Sequence, residues 1–227
     1  MRTVYFLGLA VIFVACLSVG TSLALDPFSD NFDRADNDTV GNGWEELEDD
    51  GIPVVVANGE VLVAGTQDVD WERNGIARNV NDISSLSFDF LADDVFNVHM
   101  RIDDTSTGAF IEPYAWPGGP FSQANSADGS WPGWVAIEGS DMMAGQYNTL
   151  AIERVAAGQF QIKNNGTEIV VLENAGLVNI DRIQLSADSA AGSVGSLHID
   201  NVVIDGAAAI EPADKLSTAW GKIKSSL

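Results

Sequence analysis

Four side chains at alternate positions, Asn97, His99, Arg101 and Asp103, form the richest row of hydrogen-bonding groups that one stretch of this chain can present together. Successive side chains of a strand point to opposite faces, so these four share one face while Phe96, Val98, Met100 and Ile102 share the other. A carboxamide, an imidazole and a guanidinium on one surface supply the convergent donors and acceptors that a polyhydroxylated ligand needs. Asn97, His99 and Arg101 are therefore candidate ligand contacts, and a merely solvated strand face is the competing reading. Aromatic residues cluster just downstream: Tyr114, Trp116, Phe121, Trp131 and Trp134, interleaved with Pro117-Gly118-Gly119-Pro120 and Pro132-Gly133. Proline and glycine favour turns, which predicts loops carrying partly exposed rings. An exposed indole is a flat apolar platform for the C–H face of a pyranose. Trp116, Trp131 and Trp134 are the candidate platforms, unless they cap the end of the fold and pin a long loop.

Two further sets of acids have chemistry to offer. Asp68-Val69-Asp70-Trp71-Glu72 places three carboxylates at alternate positions, and cutting a glycosidic bond takes two carboxyl groups at a controlled separation. The preferred reading is an acidic loop face. Asp30, Asp33 and Asp36 near the start would meet Asp200 if the first and last strands lie side by side; these hard oxygen ligands suit structural calcium, with solvated loop acids as the alternative. His99 and His198 stand alone in the sequence, and zinc, serine-hydrolase and phosphate-loop signatures are absent.

The elements that hold these residues read as strands. From Phe28 onward apolar residues recur with period two in short runs between Gly, Asn and Asp. Val54 to Val56 and Val61 to Val63 flank Asn58-Gly59, which accepts the two positive φ angles of a type I′ turn. Leu150 and Ile152, Phe160 and Ile162, and Ile169 to Leu172 form a meander with turns at Ala157-Gly158 and Asn164-Asn165-Gly166. Further strands are predicted at Ile76 to Val80, Leu86 to Phe90, Phe96 to Ile102, Trp134 to Ile137, Ile183 to Leu185 and Leu197 to Ile204. About a dozen strands without crossover helices predict an all-β, two-sheet antiparallel sandwich over residues 25–206.

The chain of 227 residues carries 33 acidic against 11 basic side chains and a net charge of -22. Such a surface repels phosphate backbones and anionic membranes, which excludes nucleic-acid binding. Residues 1–24 combine Arg2, an apolar run from Val4 to Leu17 and Ser22-Leu23-Ala24, the pattern of a secretory signal peptide. The mature chain is expected to begin at Leu25, to be secreted, to lack a transmembrane segment and to carry no cysteine, since Cys16 lies in the removed part; a lipid-anchored Cys16 is the weaker alternative. Residues 207–227 read as a linker and a short amphipathic tail helix, with Leu216, Trp220 and Ile223 at helical spacing.

Three stretches in sequence resemble the concanavalin A-like lectin/glucanase superfamily in its laminin-G-like bacterial branches. They are Phe28-Ser29-Asp30-Asn31-Phe32-Asp33-Arg34-Ala35-Asp36 with Gly41-Asn42-Gly43-Trp44; Gly145-Gln146-Tyr147-Asn148-Thr149-Leu150-Ala151-Ile152-Glu153; and Leu197-His198-Ile199-Asp200-Asn201-Val202-Val203-Ile204. The resemblance implies a jelly roll over about residues 26 to 206 and a function among lectins, hydrolases and adhesion modules. Glucanases of this superfamily carry Glu-x-Asp-x-Glu along one strand; the run at Asp68 has Asp in the first place, which departs from that pattern. The expectation is a secreted, non-catalytic carbohydrate-binding or adhesion module for a polysaccharide or other glycan. A glucanase-type hydrolase using Asp68, Asp70 and Glu72, and a surface structural protein without a small ligand, are the alternatives.

Overall fold

The computed structural model describes residues 27–206 apart from Asp94, Gly118 and Ala144. The segment read from sequence as a signal peptide, with Cys16, and the tail from residue 207 lie outside the described residues. In chain order the strands are β1 (Phe28–Asp30), β2 (Glu45–Glu48), β3 (Val54–Ala57), β4 (Glu60–Thr66), β5 (Asn74–Asn79), β6 (Ser85–Ala92), β7 (Asn97–Asp104), β8 (Ala109–Ala115), β9 (Pro120–Ser126), β10 (Val135–Asp141), β11 (Asn148–Ala156), β12 (Gln159–Asn164), β13 (Thr167–Glu173), β14 (Arg182–Asp188) and β15 (Val194–Asp205). Every pairing is antiparallel. One sheet runs β13-β12-β11-β6-β15-β4-β3 with β1 added on β15; the other runs β10-β9-β8-β7-β14-β5-β2. Among the described residues there is no helix, and hence none long and apolar enough to cross a membrane.

Period two explains the layering. Leu86, Phe88 and Phe90 of β6 face Val98, Met100 and Ile102 of β7 across one continuous core in which all six are buried. Each such side chain contributes roughly 1.5 to 3 kcal/mol of burial. Along β15 the inward positions change from Leu197 and Ile199 to Val202 and Ile204, because the register against β6 shifts between Asp200 and Val203. Asn201, at φ 48, is the pivot of this bulge. The hairpin expected at Asn58-Gly59 forms, with φ of 57 and 81 at the two positions.

The segment from Tyr114 to Trp134 departs from its expected form. Much of it is a hairpin, β8 and β9, instead of loop. Its signal was hidden because two of the three outward residues of β8, Phe110 and Tyr114, are aromatic and break the apolar-polar alternation, and because Pro113 interrupts the run. The expected meeting of the first and last strands does occur, since Asp30 of β1 pairs with Val202 of β15.

Candidate functional site

The polar row of β7 lies at the centre of the outer face of the seven-stranded sheet. His99 pairs with Tyr114 of β8 on one side and with Ser186 of β14 on the other. Diagonal neighbours supply its partners. His99 Nδ1 lies 2.9 Å from Glu112 Oε1 on β8, and Nε2 lies 3.0 Å from Asp188 Oδ2 at the end of β14. The second of these contacts is bent, leaving Nε2 without a well-aligned hydrogen bond. Asn97 Nδ2 donates to the other Asp188 oxygen at 2.8 Å. Arg73, in the loop immediately before β5, reaches Glu112 Oε1 at 2.5 Å and Asp188 Oδ2 at 3.7 Å. Arg101 reaches Glu112 Oε2 at 3.3 Å and Asp103 Oδ1 at 2.6 Å, while Gln184 donates to Asp103 Oδ2.

This face is buried rather than solvated: His99, Asn97, Asp103, Glu112 and Asp188 are each under a tenth exposed. Burial by itself pushes the Glu112 carboxyl upward. The hydrogen bond from His99 and the charges of His99, Arg73 and Arg101 outweigh it and hold the group down at about 2. Asp188 is also lowered, against its burial, by His99, Asn97 and Arg73. Asp103 is raised, because its burial exceeds what Arg101 and Gln184 return. Burial and the Asp188 charge push the Tyr114 phenol up to about 12.

Aromatic rings rise over this floor. Tyr114 stacks on Trp134 with centroids 4.8 Å apart, Trp131 meets Trp134 edge-on at 5.1 Å, and Phe110 lies under Trp131. The loop 127–134 carries both indoles, and Gly133 at φ 79 makes the corner between them. Trp131 is 57% and Trp134 40% exposed. Together with Tyr114, Trp71, Arg73, His99 and Asp188 they line an open cavity of about 410 Å³, within the usual range for a small-ligand site.

Of the residues singled out by sequence, His99, Trp131 and Trp134 meet in this cavity. Asn97 acts beneath it by holding Asp188, and the Arg101 guanidinium is stacked on Phe110 at 4.0 Å. Trp116 is not among the lining residues. Its indole folds back over its own turn, donating to Pro120 O at 3.0 Å and covering Gly119, where a Cβ would collide with the ring. Trp71, Arg73, Glu112 and Asp188 were missed as site residues. The alternation of Phe110, Glu112 and Tyr114 was the available signal for one of them.

The acidic run at Asp68 is a loop between β4 and β5, not a strand, so its three acids do not line a cleft by alternation. Asp68, Asp70 and Glu72 are exposed, and Asp70 accepts from Ala191 N at 2.7 Å. The expected calcium ligands are disposed otherwise than as a cage. Asp30 is buried and accepts from Arg34, Asn42, the Trp44 indole and Phe32 N. Burial raises its carboxyl, and these four donors more than reverse that. Asp33 is exposed, and Asp200 is raised by its burial and by the nearby Glu60, Asp89 and Asp30 charges. Among the described residues no three acidic, histidine or cysteine side chains converge as metal ligands, and the Asp30 donors leave its oxygens committed.

No family model matches the sequence, and no curated protein matches it. Solved structures match in shape. The chain is similar to the Bacillus licheniformis β-glucanase with a TM-score of 0.61 at 11% identity, over 79% of this chain and 97% of that one. It is similar to the carbohydrate recognition domain of Emp47p with a TM-score of 0.55 at 10% identity, over 79% and 94%. A sialidase matches with a TM-score of 0.56 at 16% identity over 78% of this chain, which spans only 19% of the sialidase.

Proposed function

We propose that this chain, whose described part has the concanavalin A-like jelly-roll fold, is a secreted, non-catalytic carbohydrate-binding module. The observation that carries this reading is the cavity over β7, where half-exposed indoles stand on a floor whose carboxylates are all paired. Indoles take the apolar face of a sugar, and Arg73, His99 and Asp188 offer donors and acceptors to its hydroxyls. The carbohydrate recognition domain and the β-glucanase among the structural neighbours agree with a carbohydrate ligand.

The glucanase neighbour also raises hydrolysis. A glycosidase needs one carboxyl group held protonated near neutral pH as the general acid and a second as nucleophile or base. Glu112 and Asp188 at the floor are both pulled the opposite way. Asp103 is raised, but Arg101 and Gln184 occupy both of its oxygens and it does not line the cavity. Binding without cutting is the better fit. Screening the purified protein on an array of plant and microbial glycans is expected to retain it on a restricted set, with retention lost in Trp131→Ala. Folded protein that binds no glycan on the array would overturn the reading.

A further inference from the structure

Trp71 has a backbone φ of +62, a conformation that glycine adopts freely and a bulky side chain rarely does. Core packing is not its cause, because the indole is 58% exposed. The surroundings impose it. Gln67, 1% exposed, donates its one amide nitrogen to Val69 O at 2.9 Å and to Glu72 O at 2.8 Å, bracing the loop from inside. From the neighbouring 189–192 loop, Ser189 O accepts from Trp71 N and Ala191 N donates to Asp70. Strain that the rest of a fold maintains around an exposed side chain marks a side chain in use.

The position of Trp71 says what the use is. Across the sheet the order is β8, β7, β14, β5. Tyr114, with Trp134 stacked on it, stands over β8, whereas Trp71 sits beside Arg73 at the start of β5. Both lots of rings line the same cavity, with His99 and Asp188 on the strands between. At a strand spacing of about 4.8 Å, the two banks are roughly 14 Å apart at the backbone.

We infer that Trp71 is a second stacking wall, held in its strained conformation by Gln67 as a positioning residue. The ligand is then an oligosaccharide laid across the strands, with one unit on Trp131 and Trp134 and another on Trp71, rather than a single terminal sugar. This rests on the carbohydrate-binding reading above. A monosaccharide fills one bank only, so affinity should rise with chain length until both banks are engaged, and that rise is what Trp71 supplies.

Calorimetric titration with cello-, laminari-, xylo- and mannotetraose and the matching monosaccharides tests this. Wild-type protein should bind at least one tetrasaccharide at least tenfold more tightly than its monosaccharide, about what one well-stacked ring provides. Trp71→Gly and Trp71→Asn should lose that gain while keeping monosaccharide affinity. Their melting temperature should stay level or rise by about 2 to 4 °C as strain is relieved. Gln67→Ala should lose part of the length-dependent gain with the same monosaccharide affinity, a split that general destabilisation would not produce. Trp71→Gly that binds the tetrasaccharide like wild type, or that melts several degrees lower, overturns the second wall while leaving the carbohydrate reading in place. Folded wild-type protein that binds none of the panel overturns this inference, and the carbohydrate reading falls as well if the glycan array is also blank.

Discussion

The carboxylate of Glu112 on β8 receives Nδ1 of His99 on β7 at 2.9 Å, and both side chains are almost completely removed from solvent. Arg73 and Arg101 complete the surround of Glu112. A buried charge held by two guanidinium groups and an imidazole hydrogen bond is costly to remove singly, because its partners remain buried and uncompensated.

Glu112→Ala is therefore expected to destabilise the domain by about 3 to 5 kcal/mol. Glu112→Gln, which keeps an acceptor of the same shape, should cost less. Urea unfolding followed by tryptophan fluorescence measures both, and an alanine cost below about 1 kcal/mol would show that the network contributes little net stability.

Acid should expose the same network. Glu112 is lowered from 4.5 to about 2 in the folded chain, so its stabilisation is fully present above the unfolded value and is lost as pH falls through the folded one. The linkage amounts to about 3 kcal/mol. Asp188 acts in the same direction, and the raised Asp103 opposes them, gaining stability when it is protonated. The melting temperature of wild type should drop between about pH 4.5 and 2, and Glu112→Gln should flatten that drop.

Two tryptophans of similar exposure should separate in a binding assay. Trp131→Ala is expected to weaken glycan binding by roughly 1 to 3 kcal/mol, the scale of one well-used apolar side chain. Trp116→Ala should leave affinity unchanged, since its indole covers its own turn outside the cavity. Equal losses in both variants would count against the cavity as the binding site.

Incubation with β-glucans should release no reducing sugar, and the triple change Asp68→Asn, Asp70→Asn, Glu72→Gln should leave glycan affinity as it was. Release by wild type that disappears in the triple variant would establish the exposed 68–72 loop as catalytic.

Asp30 ties β1 to the Asn42 and Trp44 segment through its side-chain donors. Asp30→Ala should cost about 2 kcal/mol, the range for hydrogen bonds to a charged group. That loss should be the same in chelator and in excess calcium. A chelator-dependent melting temperature in wild type, absent in Asp30→Ala, would instead make Asp30 a metal ligand.

The sequence by itself determined the layers of this protein. Alternation is a property of consecutive residues, so Val98, Met100 and Ile102 could be assigned to a core and Asn97, His99, Arg101 and Asp103 to the opposite face before any partner was known. The Asn58-Gly59 hairpin was equally local, because two residues tolerant of positive φ sufficed. What stood opposite the polar row was decided only by the tertiary structure. Glu112 and Asp188 reach His99 through strand order and register, which couple positions 13 and 89 residues away and leave no periodic trace. The same holds for the tryptophans. Trp71, Trp116, Trp131 and Trp134 all sit beside turn-forming or polar residues, and composition cannot separate an indole folded over its own turn from one aimed across a sheet. Burial of the polar row followed from that assembly, since side chains that alternation leaves facing outward are exposed only until other elements cover them.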